Sequence, residues 1–434
     1  MSEKILLRHE DVPNLRRLDV YEADGGYRAA RQALTTMEPA ALTEVVKASG
    51  LRGRGGAGFP TGVKWGFLPK DNPKPRYLCV NADESEPGTF KDRQIIEFNP
   101  HLLIEGTLLS AFAIQCHTAY IYIRGEFAFG TKVLEEAIAE AYAKGHLGRG
   151  IYGTNYHLDM YVHRGAGAYI CGEETGLIES LEGKRAYPRV KPPFPATHGV
   201  FGCPTIVNNV ETLACLPAIV TRGAEWFKGI GPEKSPGPKM YCVSGHVERP
   251  GVFELPMGTS LRELIEVHAG GVKNGKRLKA VIPGGSSVPV LRADEIDIAM
   301  DFESVAKAGS LLGSCGVIVM DEDTCMVRAL RIIAKFYHHE SCGQCTPCRE
   351  GTGWLEDLLI RLEEGGARPN DVDLLRRVAD NMMGNTVCAL ADAAAMPVQS
   401  FLNKFRAEFE EHFARGGCPQ RLGQPAPARI AAHA

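Results

Sequence analysis

Three cysteines within seven positions, Cys342, Cys345 and Cys348, have the spacing with the clearest chemical meaning, and Cys388 follows forty residues later. In the pattern C-x2-C-x2-C, three thiolates can hold three corners of an iron–sulfur cubane, and a distant fourth thiolate completes the ligand set. Structural zinc sites more often combine two separated C-x2-C pairs, or cysteine pairs with histidine pairs. The spacing therefore predicts a [4Fe-4S] cluster on these four residues, with zinc as the alternative.

The remaining cysteines of the 13 in the chain are mostly isolated in apolar surroundings. An odd total argues against a disulfide framework and favours a reducing compartment. We therefore expect most of these cysteines to be small buried hydrophobic residues.

The first glycine-rich segment, residues 53–58, has the pattern G-x-G-x-x-G. A predicted helix precedes it, whereas a dinucleotide-binding turn requires a preceding strand. Its glycines still let the backbone approach a ligand closely. Arg54 and Lys64 add positive charge, and Phe59 and Phe67 offer rings that could stack on a base. A plain glycine-rich surface turn is the alternative.

The second glycine-rich segment, residues 165–175, follows a predicted strand and opens a predicted helix. This placement favours phosphate binding at a helix N-terminus. Glu173 and Glu174 occupy the position where a phosphate would approach, so contact with a sugar or a ring is the better interpretation. Alternatively, the two carboxylates cap the helix dipole.

Polar residues also follow one predicted strand and precede one predicted helix. The run 81–88 reads NADESEPG, and Asn208 and Asn209 precede a helix. Ligands of open α/β sheets lie beyond the carboxyl ends of the strands. These side chains therefore suit the hydroxyl groups of a ribityl chain or a ribose, with turn formation and helix capping as the alternatives.

The elements that would position these residues change in character along the chain. Strands at 76–81, 119–124 and 156–163 alternate with helices, which predicts a parallel sheet with helices on both faces. After a proline-rich stretch at 232–238, read as a linker, short strands and a helix capped by Ser260 predict a small mixed β domain. Beyond Cys325, apolar stripes predict a helix bundle; they comprise Leu355, Leu358, Leu359 and Leu362, and Val398, Phe401, Leu402, Phe405, Phe409 and Phe413.

These patterns divide the chain of 434 residues, which is too long for a single hydrophobic core. The predicted parts are an N-terminal arm and helix (1–50), an α/β domain with a parallel sheet (51–235), a small mixed β domain (239–324), a helical bundle (325–418) and a disordered tail (419–434).

Charge and hydropathy exclude some classes of protein. With 49 basic and 52 acidic residues the net charge is −3, which disfavours a nucleic-acid binder. The N-terminus lacks the apolar core of a signal peptide. The uncharged stretch between Glu105 and Arg124 changes from helical to strand-like spacing, which indicates a buried helix running into a strand and not a membrane span.

In their order along the chain, these motifs resemble the NADH-binding flavoprotein subunit of respiratory complex I, the NADH:quinone oxidoreductase. The motifs are residues 53–65, 81–88 and 165–175, the pair Asn208–Asn209, and residues 342–351 with Cys388. The resemblance extends from about residue 10 to residue 418. It implies an α/β multidomain fold: a Rossmann-like FMN and NADH domain, a ubiquitin-like β-grasp domain of the SLBB type, and a C-terminal helical bundle with a [4Fe-4S] cluster.

The resemblance also implies a role for individual residues. It implies FMN contacts from Gly53, Arg54, Gly55, Lys64, Asn81, Asp83, Ser85, Tyr169, Gly172, Glu173, Asn208, Asn209 and Thr212. For NADH it implies Phe59, Phe67, Glu86, Glu174, Lys191 and Phe194. The cluster ligands would be Cys342, Cys345, Cys348 and Cys388.

The implied reaction is hydride transfer from NADH to FMN, followed by passage of single electrons to the cluster and onward to quinone. Hydride transfer between stacked rings requires no protein acid or base. The implied partners are a thioredoxin-like [2Fe-2S] subunit and a large iron–sulfur subunit. Contact with the membrane would be indirect, in a peripheral arm at the cytoplasmic face of a bacterial inner membrane.

Two alternatives stay open at this point. Subunits of soluble NAD-coupled hydrogenases and formate dehydrogenases are similar but often carry extra ferredoxin-like cysteine sets. No cysteine precedes Cys79 and only Cys418 follows Cys388, which favours complex I. The other alternative is a non-catalytic scaffold with structural zinc, which would be colourless.

Overall fold

A computed structural model describes residues 4–420 and divides the chain into two compact units. The first unit ends at Asp321 and the second begins at Glu322. The tail predicted to be disordered spans residues 419–434. From residue 421 onward it lies outside the part of the chain that the structure describes.

The first unit contains a parallel sheet of four strands in the order β3-β2-β1-β4. All neighbouring strands run parallel, as predicted, and Asn81 of β1 pairs with Asn209 of β4. The two strands therefore end side by side. The strands are β1 (Tyr77–Ala82), β2 (Thr118–Ile123), β3 (Asp159–Arg164) and β4 (Thr205–Asn209).

Strand β3 is shorter than predicted, since the sequence pattern placed its start at Tyr156. Leu158 instead forms an antiparallel bridge with Gly148, and the Tyr156 carbonyl accepts a hydrogen bond from the Ile151 amide. The residues just before β3 are thus paired with the preceding turn and are not available to β2.

Helices cover both faces of this sheet, because alternate residues of a strand point to opposite sides. Leu78 and Val80 pack in the core that includes Leu103 of α6, whereas Cys79 packs against Leu177 and Ile178 of α8. The helices of this region are α1 (Leu18–Ala23), α2 (Arg28–Thr36), α3 (Pro39–Ala48), α4 (Thr61–Trp65), α5 (Asp92–Phe98), α6 (Pro100–Ala113), α7 (Ala128–Ala143), α8 (Glu174–Leu181), α9 (Pro195–His198), α10 (Val210–Ala214), α11 (Leu216–Arg222) and α12 (Ala224–Lys228).

Helix α6 accounts for the long uncharged stretch. Each of its residues is buried, and its single acid, Glu105, accepts hydrogen bonds from the Tyr21 hydroxyl and the backbone amides of Tyr27 and Ala30. A short turn links α6 to β2, as predicted. Within residues 4–420, no helix has the length and apolar character needed to cross a membrane.

The first unit also contains a mixed sheet of five strands in the order β6-β5-β9-β7-β8. The strands β5 and β9, which come first and last along the chain, are parallel neighbours within this sheet. The other neighbouring pairs are antiparallel. The strands are β5 (Pro238–Gly245), β6 (Gly251–Pro256), β7 (Leu278–Ile282), β8 (Leu291–Arg292) and β9 (Gly316–Asp321).

Two short helices accompany this sheet. Helix α13 (Leu261–Glu263) begins after Ser260, whose hydroxyl accepts a hydrogen bond from the Glu263 amide as predicted, and continues into a π-helical turn. Helix α14 (Phe302–Lys307) begins at a similar cap, in which Asp301 accepts from the Ser304 amide at 2.7 Å.

The stretch at 232–238, read as a linker, is packed within the first unit. The Pro236 carbonyl accepts a hydrogen bond from Arg54 at 2.6 Å, and Gly237 has a φ of +92°. A Cβ atom at Gly237 would lie 2.1 Å from the ring of Phe227. This stretch is therefore a fixed connection between the two sheets.

A buried ion cluster joins the two sheets. The Glu211 carboxylate in α10 pairs with the Lys239 ammonium in β5 and, at 2.8 Å, with the Lys91 ammonium. Lys91 also pairs with Asp92 at 2.8 Å, and Asp92 accepts a hydrogen bond from the Asn209 side chain at 2.6 Å. Burial alone would raise the pKa of Glu211, but Lys239, Lys91 and Arg54 lower it to about 2.

The second unit is a bundle of four helices: α15 (Met326–Glu340), α16 (Thr346–Glu364), α17 (Asp371–Met382) and α18 (Leu390–Arg415). The predicted leucine stripe of α16 is fully buried. The predicted stripe of α18 is wrong at its end, because Phe413 is 41% exposed. The backbone departs from helical geometry at Phe405 (φ −130°); beyond this kink Phe409 is buried as predicted, and His412 is buried in place of Phe413.

The ion cluster yields the first prediction. The change Glu211→Gln leaves the buried Lys239 ammonium without its carboxylate partner and Lys91 paired with Asp92 alone, so we expect it to lower the free energy of unfolding by about 3–5 kcal/mol. Urea denaturation followed by circular dichroism measures this loss. The matched change of exposed Glu233→Gln should alter stability by no more than about 0.5 kcal/mol.

The same pair of proteins also tests the pKa of Glu211. Because its folded-state pKa, about 2, lies below the ordinary value of 4.5, its stabilising effect is complete above pH 4.5 and lost as the pH falls toward 2. The difference in stability between the parent protein and Glu211→Gln should therefore shrink over this interval. A difference that stays constant would contradict the assigned role of the carboxylate.

Candidate functional site

The candidate site lies at the carboxyl edge of the parallel sheet, where β1 meets the second glycine-rich segment. The Asn81 side-chain amide donates to the Gly172 carbonyl at 2.9 Å, and the Asn81 side-chain oxygen accepts from the Asp83 amide at 3.1 Å. Asp83 in turn accepts a hydrogen bond from the Ser85 hydroxyl. Two segments about ninety residues apart in sequence thus share one edge of the sheet.

The first glycine-rich loop lies against the end of β4. The Arg54 amide donates to the Thr212 hydroxyl at 2.8 Å. A Cβ atom at Gly55 would lie 3.0 Å from Cβ of Asn209, so the absence of a side chain permits this approach. The Trp65 indole donates to the Asn208 side-chain oxygen at 2.9 Å. As predicted, a helix (α3) and not a strand precedes the loop.

Four charged side chains form a linked network at this edge. The Lys64 ammonium contacts the Glu174 carboxylate at 3.0 Å and the Val207 carbonyl at 2.9 Å. The Lys191 ammonium contacts Glu173 at 2.8 Å and Glu174 at 3.0 Å. Burial raises the pKa of Glu174, but the two lysines outweigh burial and lower it below its usual range. The network thus keeps Glu174 ionised.

The two adjacent acids of the second segment have different roles. Glu173 caps α8, since its carboxylate accepts from the amides of Thr175 and Gly176 at 2.7 and 2.9 Å. Helix capping, which was the alternative for both acids, is therefore the role of Glu173 in the structure. Glu174 is the first residue of α8 and pairs with the lysines.

The sequence predicted that Arg54 adds positive charge to the first glycine-rich loop, but in the structure its side chain is buried. Its side chain is 1% exposed, and its guanidinium donates to the Pro236 carbonyl. Its charge also helps to lower the pKa of Glu211. The guanidinium therefore belongs to the buried ion cluster, and Lys64 supplies the positive charge at the edge.

The loop after β7 of the second sheet also contributes to this site, which the sequence alone did not predict. The Glu86 carboxylate accepts hydrogen bonds from the Tyr169 hydroxyl and from the Ser287 amide, the latter at 2.8 Å. Gly285 has a φ of +97°, and a Cβ atom there would lie 2.6 Å from the Glu86 side chain. Burial raises the pKa of Glu86. The sequence feature that could have indicated this contact is the run Gly284–Gly285, which is a third glycine-rich turn.

Apolar rings border the polar edge. Phe59 and Phe67 are 46% and 55% exposed, and their ring centroids lie 5.8 Å apart. Phe194, 57% exposed, lies three residues after Lys191. Exposed aromatic rings beside charged groups suit a ligand that has a flat heterocycle and phosphates.

In the second unit, the cysteine loop joins α15 to α16. Gly343 has a φ of +79°, which permits the tight turn between Cys342 and Cys345, and the Val387 amide donates to the Cys345 sulfur at 3.4 Å. This bond holds the residue next to Cys388 against the loop. Cys348 is buried and the other three cysteines are partly exposed. Four thiols from neighbouring segments are the donor set that an iron–sulfur cluster requires.

An α/β sheet with a polar, glycine-lined carboxyl edge, together with a helical unit that carries the four cysteines of the predicted cluster, is the arrangement expected of a flavin- and iron–sulfur-dependent oxidoreductase subunit. Three family models match the chain in this order. Residues 46–218 match the Nuo51 FMN-binding domain, residues 239–313 an SLBB domain, and residues 328–412 the NADH-ubiquinone oxidoreductase-F iron-sulfur binding region. These matches confirm the predicted fold class and the predicted cofactors.

Curated relatives cover nearly the whole chain. One of the NADH-quinone oxidoreductase F-type subunits of Rhizobium meliloti is 57% identical over 96% of this chain and 100% of its own length. The F-type subunit of Mycobacterium bovis is 51% identical over 96% of this chain and 94% of its own length. The chain belongs to the family of NADH-quinone oxidoreductase F-type subunits. It is an oxidoreductase subunit that assembles with other subunits.

Solved structures show the same fold. A chain of an NAD+-reducing [NiFe]-hydrogenase in the H2-reduced state superimposes with a TM-score of 0.82 at 38% identity. The air-oxidized form gives a TM-score of 0.81 at 37% identity. The matches cover 92% and 91% of this chain, which spans only 66% of the length of the hydrogenase chain in each case.

The charged network yields a prediction for flavin binding. A charge-assisted hydrogen bond contributes about 1.5–3 kcal/mol, so Lys64→Gln should weaken FMN binding by about tenfold to a hundredfold. Fluorescence titration of the apoprotein with FMN measures the affinity. Lys70→Gln, at an exposed position of the same segment, is the matched control and should bind FMN normally. Equal affinities for both variants would contradict a role for Lys64 in flavin binding.

Proposed function

We propose that this chain is the electron-input subunit of an NADH:quinone oxidoreductase and oxidises NADH at the carboxyl edge of its parallel sheet. One observation carries the proposal: the loop at 53–59, the run 81–86 and the segment 165–175 meet at this edge, although they are distant in sequence. Membership of the family of F-type subunits supports it.

The proposed FMN site combines close backbone approach with polar side chains. Gly53 and Gly55 present backbone without side chains, Lys64 supplies positive charge, and the amides of Asn208 and Asn209 lie beneath the loop. The polar run after β1 suits the ribityl hydroxyls. The complete proposed set is Gly53, Arg54, Gly55, Lys64, Asn81, Asp83, Ser85, Tyr169, Gly172, Glu173, Asn208, Asn209 and Thr212.

The proposed NADH site lies beside it. The rings of Phe59 and Phe67 offer an apolar platform for a base, and Glu86 offers a partly buried oxygen acceptor. Lys191 provides a positive charge within reach of a pyrophosphate. The complete proposed set is Phe59, Phe67, Glu86, Glu174, Lys191 and Phe194.

In this site, bound FMN would supply the hydride acceptor and the conversion from two-electron to one-electron transfer. The protein residues hold the two heterocycles in contact, and their contribution is orientation and exclusion of water. Lys64 and Lys191 lower the pKa of Glu174, which favours its ionised form beside the proposed ligands.

The proposed cluster ligands are Cys342, Cys345, Cys348 and Cys388. The proposed partners are a thioredoxin-like [2Fe-2S] subunit and a large iron–sulfur subunit that passes electrons on to quinone. The proposed location is the cytoplasmic face of a bacterial inner membrane, with attachment through partner subunits.

The structural similarity to the hydrogenase favours a second candidate, the NAD-reactive subunit of a soluble hydrogenase. The higher identity to the F-type subunits supports the quinone-linked assembly, at 57% against 38%. Affinity purification of the tagged chain from its native cell distinguishes the two. Recovery of a nickel–iron subunit in stoichiometric amount would replace the first candidate.

An absorption spectrum of the anaerobically purified chain tests the proposal directly. Flavin bands that bleach on addition of NADH, above a broad iron–sulfur shoulder, are the expected result. A colourless protein that retains zinc and ignores NADH would instead establish the scaffold.

The cluster assignment yields a prediction for Cys345→Ala. Loss of one thiolate should abolish the iron–sulfur absorption and the paramagnetic signal of the reduced cluster, while FMN, held in the other unit, is retained. Cys203→Ala, which removes a buried thiol of the first unit, should leave the cluster intact. An unchanged cluster spectrum in Cys345→Ala would contradict the assignment.

The aromatic platform yields a prediction for substrate affinity. Ring stacking contributes about 0.5–1.5 kcal/mol, so Phe67→Ala should raise KM for NADH by about twofold to tenfold and change kcat little. Assays with ferricyanide as acceptor measure both constants. Phe98→Ala, at a ring of similar exposure on α5, is the control. A lower kcat with unchanged KM would argue against stacking of NADH at Phe67.

A further inference from the structure

Three buried side chains of the second unit, Cys325, His412 and Cys418, meet in a cluster that the proposed electron transfer does not use. The Cys325 sulfur lies 3.3 Å from Nε2 of His412 and 3.9 Å from the Cys418 sulfur. All three candidate ligand atoms lie within 4.8 Å of one another. None of the three side chains is more than 8% exposed.

The histidine ring is oriented so that Nε2 can act as a ligand. Its Nδ1 lies 2.7 Å from the Glu408 carbonyl, which can only accept a hydrogen bond, so Nδ1 carries the proton. The lone pair of Nε2 therefore points at the two thiols. A backbone carbonyl on the other ring nitrogen is the usual support of a histidine that binds a metal.

The cysteine at the start of α15 is supported in a similar way. Cys325 is the N-cap of this helix, and its sulfur accepts a hydrogen bond from the Arg328 amide at 3.4 Å. An amide donor and the positive end of a helix both stabilise a thiolate. Each of these two ligands thus has its own supporting contact.

We propose that Cys325, His412 and Cys418 bind a zinc ion, with water in the fourth position. With Zn–S bonds of about 2.3 Å and a Zn–N bond of about 2.0 Å, tetrahedral geometry places two sulfurs about 3.8 Å apart and a sulfur and a nitrogen about 3.5 Å apart. The observed separations of 3.9 and 3.3 Å are close to these values. Two thiolates and an imidazole form a ligand set that zinc favours.

This site is separate from the cysteines assigned to the iron–sulfur cluster. Cys325 precedes α15 and Cys342 follows it, and a helix of this length spans about 22 Å. The zinc ion would connect the start of α15 with the end of α18 and the residues just beyond it. Its proposed role is structural, because these ends are 87 and 93 residues apart in sequence.

The first measurement is the metal content of the full chain, purified with its flavin and cluster and supplied with zinc chloride. We expect one zinc per chain, and X-ray absorption at the zinc edge should show two sulfur ligands at about 2.3 Å and one imidazole. A zinc content near zero would overturn the proposal. A disulfide joining Cys325 and Cys418, detected by mass spectrometry of the intact chain and its peptides, would also overturn it.

The second measurement compares matched cysteine variants. Cys418→Ser should lose at least nine-tenths of the zinc and keep the flavin and iron–sulfur spectra, whereas Cys203→Ser should retain the zinc. Retention of zinc by a folded Cys418→Ser protein would overturn the assignment.

A chemical test on the unmodified chain covers the case in which Cys418→Ser does not fold. Removal of zinc with a chelator should expose Cys325 and Cys418 to alkylation together, with release of one zinc for each pair of modified cysteines. Alkylation of both residues at the same rate with and without chelator would overturn the proposal.

Discussion

The arrangement of the first unit depends on the ion pairs that the buried Glu211 carboxylate forms with Lys239 and Lys91. Glu211 lies at the start of α10, directly after the strand that ends in Asn208 and Asn209, and it is 0% exposed. An ionised group in such a place is tolerated only with charged partners and satisfied hydrogen bonds. Lys239, on the first strand of the second sheet, and Lys91 supply the charges, and the Met240 amide donates to the carboxylate at 2.9 Å.

This requirement has consequences for the site. Since the anion lies in α10, directly after β4 of the first sheet, and Lys239 lies on β5 of the second, their pairing holds the two sheets in one arrangement. That arrangement brings Ser287 to Glu86, and it seats Asn209 on Asp92 beneath the glycine loop. The geometry of the candidate flavin and NADH site is therefore set partly by Glu211, Lys239 and Lys91, none of which belongs to the proposed flavin or NADH sets. Buried ion pairs often contribute more to specificity of structure than to stability, and such a role suits a site assembled from distant segments.

The similarity to the hydrogenase chain is consistent with separate roles for the two units of this chain. The proposed site of hydride acceptance, the sheet edge with its loops, lies in the first unit. The four cysteines proposed as cluster ligands lie in the second unit, and we propose that the partner subunits determine the electron acceptor. One input module can thus serve assemblies that reduce different final acceptors, which is why fold similarity alone does not identify the acceptor.

The amino-acid sequence alone specifies the local features. Hydrophobic periodicity predicted three of the four strands of the parallel sheet, all but β4, and the four leucines of α16, and cysteine spacing predicted the iron–sulfur region. Each of these signals depends on residues close together in the chain. Only the folded chain shows that the Arg54 guanidinium is buried, that Phe413 is exposed beyond a kink, and that Ser287 reaches Glu86. Folding also brings Cys325, His412 and Cys418 together. These arrangements arise from contacts between residues tens to hundreds of positions apart, and burial and charge pairing decide such contacts after the local elements have formed.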